Sequence, residues 1–450
     1  MILDGWRGPG LEVAVIGLGK SGVAATRLLR RHGIRVYASD AGSGVELEGQ
    51  AANLRGEGAE VSVGSHDLAR IARAAAAVVS PGVPPEAPAV AAARAADVAV
   101  VAEAELGLAC LPRTRALVIS GTNGKTTTTA LTAHLLDVGG LRAGAAGNIG
   151  RPLAEVALEA DPPDWLVVEL SSFQLHDMPG LRPAAGVLTN LSPDHLDRYA
   201  ALADYYADKA RLFRNAGPES IWITNADDPE VQRMVAGVAG HHLRFSLQGR
   251  ADGWYDRDRR ALRLGDEVLL PRDGLMLLGD HNVANALAAA LAARVAGVPL
   301  AVLADGLRSF RALAHRLEPV REVGGVLWIN DSKATNIAST EVALDALERP
   351  YVLLLGGRHK GEPYTRLAAR LARNCRAVVA YGEAAPLVLA DLTGKVPVVQ
   401  GGDFADVLHQ ARALSRPGDA VLLSPACSSY DMFRNYEQRG AMFRAAVEAM

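Results

Sequence analysis

Short apolar runs alternate along most of the chain with longer segments whose apolar positions recur every three or four residues. That alternation predicts strands joined by covering helices, the pattern of doubly wound α/β domains. In the first stretch, strands are expected at 12–16, 35–39, 76–79 and 98–101, with a helix over 22–32. A second stretch carries runs at 116–119, 165–170, 186–189 and 220–224, and a third at 326–329, 351–355, 377–381 and 420–423. Between 241 and 278 the runs shorten and alternate around Asp252-Gly253 and Asp273-Gly274, which predicts a small antiparallel flap. An Ala-rich helix follows Gly279-Asp280-His281-Asn282 and runs to about Ala296. The expected architecture is three consecutive Rossmann-like domains over 1–107, 108–314 and 315–450, the central one of the P-loop ATPase type.

Composition narrows this picture. Hydrophobic residues make up 49% of the 450 and aromatics only 5%, so Ala, Val and Leu must fill the cores, as suits helix-covered parallel sheets. The formal charge of −3 gives no general nucleic-acid surface, so an anionic ligand must be met by local charge. Cys110, Cys375 and Cys427 are far apart and lack metal-ligand spacing, as expected of buried thiols in a reducing compartment. No apolar signal core opens the chain, and no run approaches the roughly 18 apolar residues of a membrane span. A cytoplasmic protein is expected.

The strongest chemical signal is Gly121-Thr122-Asn123-Gly124-Lys125-Thr126-Thr127, between a buried strand and a helix. Such a turn leaves backbone N–H groups pointing outward to cradle a polyphosphate, with Lys125 adding charge and Thr126 a hydroxyl for Mg²⁺. Ile119 occupies the place of the first glycine of the full P-loop, so this is a shortened G-x-x-G-K-T form. An ordinary strand-to-helix turn with a surface lysine is the plainer alternative. Gly17-Leu18-Gly19-Lys20-Ser21-Gly22, with Asp40 closing the next strand, fits a dinucleotide fingerprint. It specifies a diphosphate and a sugar hydroxyl, which NAD and a UDP-sugar satisfy equally.

Glu169 and the segment Thr189-Asn190-Leu191-Ser192-Pro193-Asp194-His195 stand at strand exits of the second stretch. With Thr126, Glu169 and His195 are candidates to converge on Mg²⁺. In the third stretch three polar exits suit a small acidic substrate: Asn330-Asp331-Ser332-Lys333-Ala334-Thr335-Asn336, Gly356-Gly357-Arg358-His359-Lys360-Gly361 and Ser424-Pro425-Ala426-Cys427. Asp331 is equally suited to cap a helix.

Together these motifs resemble the Mur ligase family of peptidoglycan synthesis over essentially the whole chain. The segments Glu169-Leu170-Ser171-Ser172-Phe173-Gln174-Leu175 and 330–336, and Ser424-Pro425-Ala426-Cys427 with Phe433, resemble the branch that adds D-glutamate. The resemblance implies UDP-N-acetylmuramoyl-L-alanine and D-glutamate as substrates, ATP, two Mg²⁺ ions and a monomer. It implies Lys20, Ser21, Asp40 and Gly82 at the UDP moiety and Asn148 near the muramoyl portion. Asn285, Arg316 and Asp331 would hold the adenine nucleotide, and Thr335, Lys360, Ser424 and Phe433 would frame D-glutamate. Lys125, Glu169, His195 and Lys209 would be catalytic, with Lys209 carbamylated and serving the metal beside Thr126, Glu169 and His195. After Asp40 the chain reads Ala41-Gly42-Ser43 where some relatives carry a Thr-Arg pair, and His359 stands where an acid often precedes the lysine. The implied reaction activates a carboxylate as an acyl phosphate for attack by an amine. A ligase of the same family adding another amino acid, such as L-glutamate, is the rival within the class, and a nicotinamide-dependent oxidoreductase built on the first glycine turn is the rival from another class.

Overall fold

The computed structural model describes residues 2–194, 199 and 201–450. The chain forms two compact units, one of residues 1–272 with 284–307 and the other of 273–283 with 308–450. The first unit holds two sheets and the second holds one.

The first sheet is entirely parallel, in the order Glu60–Val63, Val36–Asp40, Val13–Ile16, Ala76–Val79, Val100–Ala102. Val13–Ile16 is buried along its whole length, as a strand covered by helices on both faces must be. The connection order reverses on either side of this strand. The crevice beyond its carboxyl end, between residues 17–19 and 80–84, is therefore where such a sheet offers a ligand site. The helix expected over 22–32 begins earlier, at Lys20, and runs to Arg31, so Gly22 lies inside its first turn. The edge strand Glu60–Val63 carries no apolar run long enough to announce itself.

The second sheet has nine strands. Arg115–Ser120 lies between Trp165–Glu169 and Ala185–Leu188, and all three are parallel. Ala143–Gly147, made only of Ala and Gly, forms one edge and escapes a reading by hydrophobic pattern. On the other side His241–Ser246 continues the parallel sheet from Ile221–Asn225. The antiparallel part is confined to Gly253–Asp256, Ala261–Leu264 and Glu267–Pro271, so the flap is an extension of the sheet. The Ala-rich helix spans Asp280–Val295.

In the second unit, Val326–Asn330, Ala420–Leu423 and Tyr351–Gly356 are adjacent parallel strands. Their exits, 331–336, 424–429 and 357–361, therefore share one edge, as the three-loop expectation requires. Glu318–Val323 adds an antiparallel edge strand beside Val326–Asn330. Cys427 is buried and Cys110 and Cys375 are half-buried, all as free thiols. Among the described residues no helix is long and apolar enough to cross a membrane.

Candidate functional site

The turn after Arg115–Ser120 is shaped by two glycines. Gly121 has φ +138° and Gly124 φ +82°, the left-handed region that side chains avoid. A Cβ on Gly121 would stand 2.0 Å from Thr189 Oγ1, and one on Gly124 2.3 Å from Asn285 Oδ1. The turn thus packs directly on a neighbouring strand exit and on Asn285, which also accepts from Thr128 Oγ1 at 3.2 Å. Thr189 Oγ1 donates to Asn123 O at 2.6 Å, Asn190 Oδ1 accepts from Asn123 N at 2.8 Å, and Thr122 Oγ1 pairs with the Tyr205 hydroxyl at 3.0 Å. The helix Lys125–Val138 starts here without a side-chain cap, and a helix N-terminus is suited to an anion. Lys125 Nζ folds back onto Thr122 O at 2.7 Å and Gly121 O at 3.0 Å, so its charge sits over the turn. Thr126 and Thr127 follow it, half-buried in the first helical turn.

Glu169 ends the adjacent strand and is 1% exposed. Its exit is fixed by a capping box: Ser171 Oγ accepts from Gln174 N at 3.3 Å while Gln174 Oε1 accepts from Ser171 N at 3.0 Å. One carboxylate oxygen accepts from Asn148 Nδ2 at 2.9 Å, and the other, Oε2, is buried without a hydrogen-bond partner among the described residues. An orphaned buried carboxylate oxygen is costly unless something absent from the protein chain meets it. A lone carboxylate near a phosphate turn fits Mg²⁺, which binds through one or two carboxylates, phosphate oxygens and water. No group of three or more His, Cys, Asp or Glu side chains suited to a metal occurs among the described residues. His195, named for the same metal, lies outside them.

Lys209 is 1% exposed on the helix Leu202–Ala210 and reaches the turn from the other side. Its Nζ donates to Gly121 O at 2.8 Å and Ser120 Oγ at 3.2 Å. Burial and then the Lys125 ammonium push this amine well below its ordinary value, against the pull of Glu169, Asp194 and Asp208. Asp208 braces the helix by accepting from His176 Nδ1 at 2.7 Å, Arg211 Nε at 2.9 Å and the Tyr199 hydroxyl at 3.0 Å. Sequence reasoning placed Thr189 and Asn190 at a strand exit but gave no role to them or to Tyr205 and Ser120, because those roles arise from contacts between distant segments.

Lys20, Ser21, Asp40, Gly82 and Asn148 line one cavity of about 640 Å³ at the switch point of the first sheet. The glycine turn is as tight as its spacing requires: a Cβ on Gly22 would lie 1.7 Å from Gly17 O. Asp40 braces it, Oδ2 accepting from Leu18 N and Oδ1 from Gly42 N, both at 2.7 Å. Asn148 and Ile149 join this wall from the loop after Ala143–Gly147. Because Asn148 also bonds Glu169, one residue spans from the cavity to the buried carboxylate. His66, unmarked by any motif, is a further wall residue.

In the second unit Arg316 lies between His315 and Leu317, whose φ values of +65° and +42° hold a strained turn. Asp331 does not cap a helix; Asn336 does so for Ile337–Asp345, accepting from Ser339 N at 2.8 Å. Asp331 instead accepts from Leu317 N at 3.1 Å and from Ser424 Oγ at 2.8 Å, pinning the Arg316 turn. Burial raises its carboxyl to about 7, against the Ser424 and Leu317 bonds and the Arg316 charge. Thr335 is half-buried and Lys360 exposed on neighbouring exits. Ser424 and Phe433, expected to frame a substrate, face inward. Ser424 is fully buried between Asp331 and Thr340, and Phe433 packs edge-on against Phe404, ring centroids 5.0 Å apart. Both were legible as loop residues, but their direction depends on which sheet face each exit turns toward.

Three family models match in succession: a Mur ligase MurD-like N-terminal domain over 11–102, a Mur ligase middle domain over 119–293 and a Mur ligase glutamate ligase domain over 315–427. The UDP-N-acetylmuramoylalanine–D-glutamate ligase of Myxococcus xanthus is 42% identical over 453 residues, 98% of this chain and 99% of that protein. The protein of the same name from Acidobacterium capsulatum is 39% identical over 446 residues, 98% of this chain and 96% of the relative. Two solved structures share the fold. MurF from Acinetobacter baumannii has a TM-score of 0.59 at 16% identity, over 97% of this chain and 93% of its own. The UDP-N-acetylmuramate–alanine ligase of Thermotoga maritima has a TM-score of 0.58 at 18% identity, over 98% and 99%. Three α/β sheets, a phosphate turn flanked by a buried carboxylate and a buried lysine, and similarity along the full length place the chain in the Mur ligase family.

Proposed function

We propose that the chain is an ATP-dependent ligase that adds D-glutamate to UDP-N-acetylmuramoyl-L-alanine, giving ADP and phosphate, in cytoplasmic synthesis of the peptidoglycan precursor. The observation that carries this reading is the unpaired Glu169 oxygen near a phosphate turn that also receives buried Lys209. Full-length relatives bearing the name of that reaction support the choice of substrates. Domains of 1–107, 108–314 and 315–450 would serve UDP, ATP and the amino acid in turn, in a monomer.

A carboxylate is a poor electrophile, so the L-alanyl carboxylate must first be activated. Its oxygen attacks the γ-phosphorus of ATP, the bond to the bridging oxygen breaks, and an acyl phosphate and ADP result. The D-glutamate amine then attacks the acyl carbon, loses a proton, and phosphate leaves with the C–O bond electrons. The chain contributes position and charge. Backbone N–H groups of 121–127 and the Lys125 ammonium would hold the β- and γ-phosphates. Asn148 would orient the muramoyl portion while fixing one oxygen of Glu169. Thr126, Glu169 and His195 would hold Mg²⁺, as two ions, which when bound neutralises the crowded phosphate and carboxylate oxygens. The depressed basicity of Lys209 supports carbamylation. Its neutral amine would add to the carbon of CO₂, a proton would pass to solvent, and the resulting carbamate would join Thr126, Glu169 and His195 in holding the metal.

Asn285 and the Arg316–Asp331 pair would hold the adenine nucleotide, and Thr335 and Lys360 would meet D-glutamate. Ser424 and Phe433 would support those loops from within. The test is phosphate release with MgATP and UDP-N-acetylmuramoyl-L-alanine, comparing D-glutamate, L-glutamate and no amino acid. Release only with D-glutamate, with a product heavier by one glutamyl residue, is expected. Preference for L-glutamate would overturn the substrate, and no release with either would overturn the reaction.

A further inference from the structure

We propose that His66 reads the nucleobase in the first-sheet cavity, its Nε2–H donating to O4 of uracil and thereby rejecting cytosine. The inference rests on the reading of that cavity as a uridine-diphosphate site.

Strand order decides where a base would lie. The N-terminal turn of the helix Lys20–Arg31 offers its N–H groups to a diphosphate, and Asp40 ends the next strand outward, where a ribose hydroxyl is met. One strand further out is Glu60–Val63, in register so that Val63 lies beside Asp40. His66 follows three residues later and lines the cavity, on the side where the base must extend. Ala41 lines the cavity there too but has only a methyl group, and Gly42, whose N–H is taken by Asp40, has no side chain. His66 is the side chain on this wall with a directional polar group beyond Asp40.

The tautomer follows from Ser39. Its hydroxyl lies 2.9 Å from His66 Nδ1 and is fully buried. The imidazole is the hydroxyl's sole partner among the described residues. A buried O–H needs an acceptor, so the hydroxyl donates to Nδ1 and the ring proton is left on Nε2. Burial lowers the imidazole's basicity against the pull of Asp40, which favours the neutral ring. The loop is docked by Asp67, whose N–H donates to the Tyr37 hydroxyl at 2.9 Å and whose carboxylate caps Leu68–Ile71. A neutral, anchored N–H donor accepts the carbonyl at position 4 of uracil and faces the amino group of cytosine unfavourably.

The test is calorimetric binding of UDP, CDP and ADP, each alone, to the full chain and to His66→Ala, His66→Gln and Ser39→Ala, with MgATP affinity as the check on folding. The intact chain should prefer UDP. His66→Ala should weaken UDP about tenfold and bring UDP and CDP within about twofold, while His66→Gln, which keeps an N–H donor, restores part of the preference. Ser39→Ala, which frees the tautomer, should reduce discrimination even if His66→Ala fails to fold. Undiminished UDP preference in a folded His66→Ala overturns the role of His66 and leaves the cavity reading intact. Equal binding of UDP, CDP and ADP by the intact chain overturns both.

Discussion

The turns at 17–22 and 121–126 share one backbone plan: a buried strand, glycines that permit close approach, and a helix whose first N–H groups point outward. Their surroundings differ. The second turn carries its own Lys125 and is met by Lys209 and by a carboxylate with one oxygen unpaired among the described residues, both drawn in from other segments. Around the first, both oxygens of Asp40 are occupied in bracing the turn, and much of the wall is Pro81, Val83, Pro84 and Ile149. The strand-turn-helix unit makes an anion seat in either place. Chemistry is added only where neighbouring strands project charge into it, so the first turn can hold a ligand and the second can also move a phosphoryl group.

The sharpest way to break this contrast is to remove a lysine from each region. Lys209→Ala should lower the rate of phosphate release by about 10³-fold, with small carboxylates restoring part of it. Lys20→Ala should act mainly on KM for the nucleotide sugar, by about tenfold. Full activity in unrescued Lys209→Ala would erase the distinction between the turns. Next in size, Glu169→Gln replaces one oxygen with an amide nitrogen and should cost about 10²-fold, with a raised Mg²⁺ requirement in a metal titration. An unchanged titration would remove Glu169 from the metal.

The glycines test what the turns have in common. Gly121→Ala and Gly22→Ala each drive a Cβ to 2.0 Å or closer to a fixed atom, so each should lose roughly 2–3 kcal/mol in denaturant melts. Each should also weaken its own nucleotide and spare the other's. Loss of both ligands from either variant would mean that the turns do not act separately.

The last effect, spread over the pH range, concerns Glu103. It lies on the helix Glu103–Ala109, and its carboxylate accepts from Ala154 N, just beyond the loop that carries Asn148. Burial raises it to about 7, opposed by the backbone bonds from Ala154 and Leu153. An acid with a raised folded pKa binds more protons folded than unfolded. Its stabilising contribution is therefore full below about pH 4.5 and lost as pH rises through about 7. Glu103→Gln should flatten that fall by at most roughly 3 kcal/mol, read as thermal midpoints across the pH range. An unchanged slope would show that Glu103 is not the group responsible.

Legibility along the chain followed local signal. Val13–Ile16 and Ala420–Leu423 were readable because strands buried on both faces are continuous apolar runs. Ala143–Gly147 was not, because an edge strand of small residues has neither alternation nor bulk. At the candidate sites, glycines and lysines at fixed spacing marked both turns, whereas nothing local marked His66 or Tyr205 and Thr189 was marked only as part of a strand exit. Ser424 illustrates the limit from the other side: its motif was visible, yet its hydroxyl is spent on Asp331 and Thr340.

By itself the sequence determined the three α/β segments, the two glycine turns and their phosphate-binding character, because backbone conformation and helix initiation depend on residues a few positions apart. Tertiary structure alone decided which side chains meet those turns. Strand order brings Glu169 and Thr189 to one edge and the helix Leu202–Ala210 carries Lys209 to it, while one Glu169 oxygen stays unpaired among the described residues and Ser424 and Phe433 turn inward. Direction and burial depend on neighbours dozens of residues away, and they set both the charge at the phosphate turn and the hydrogen bond that His66 has left to give.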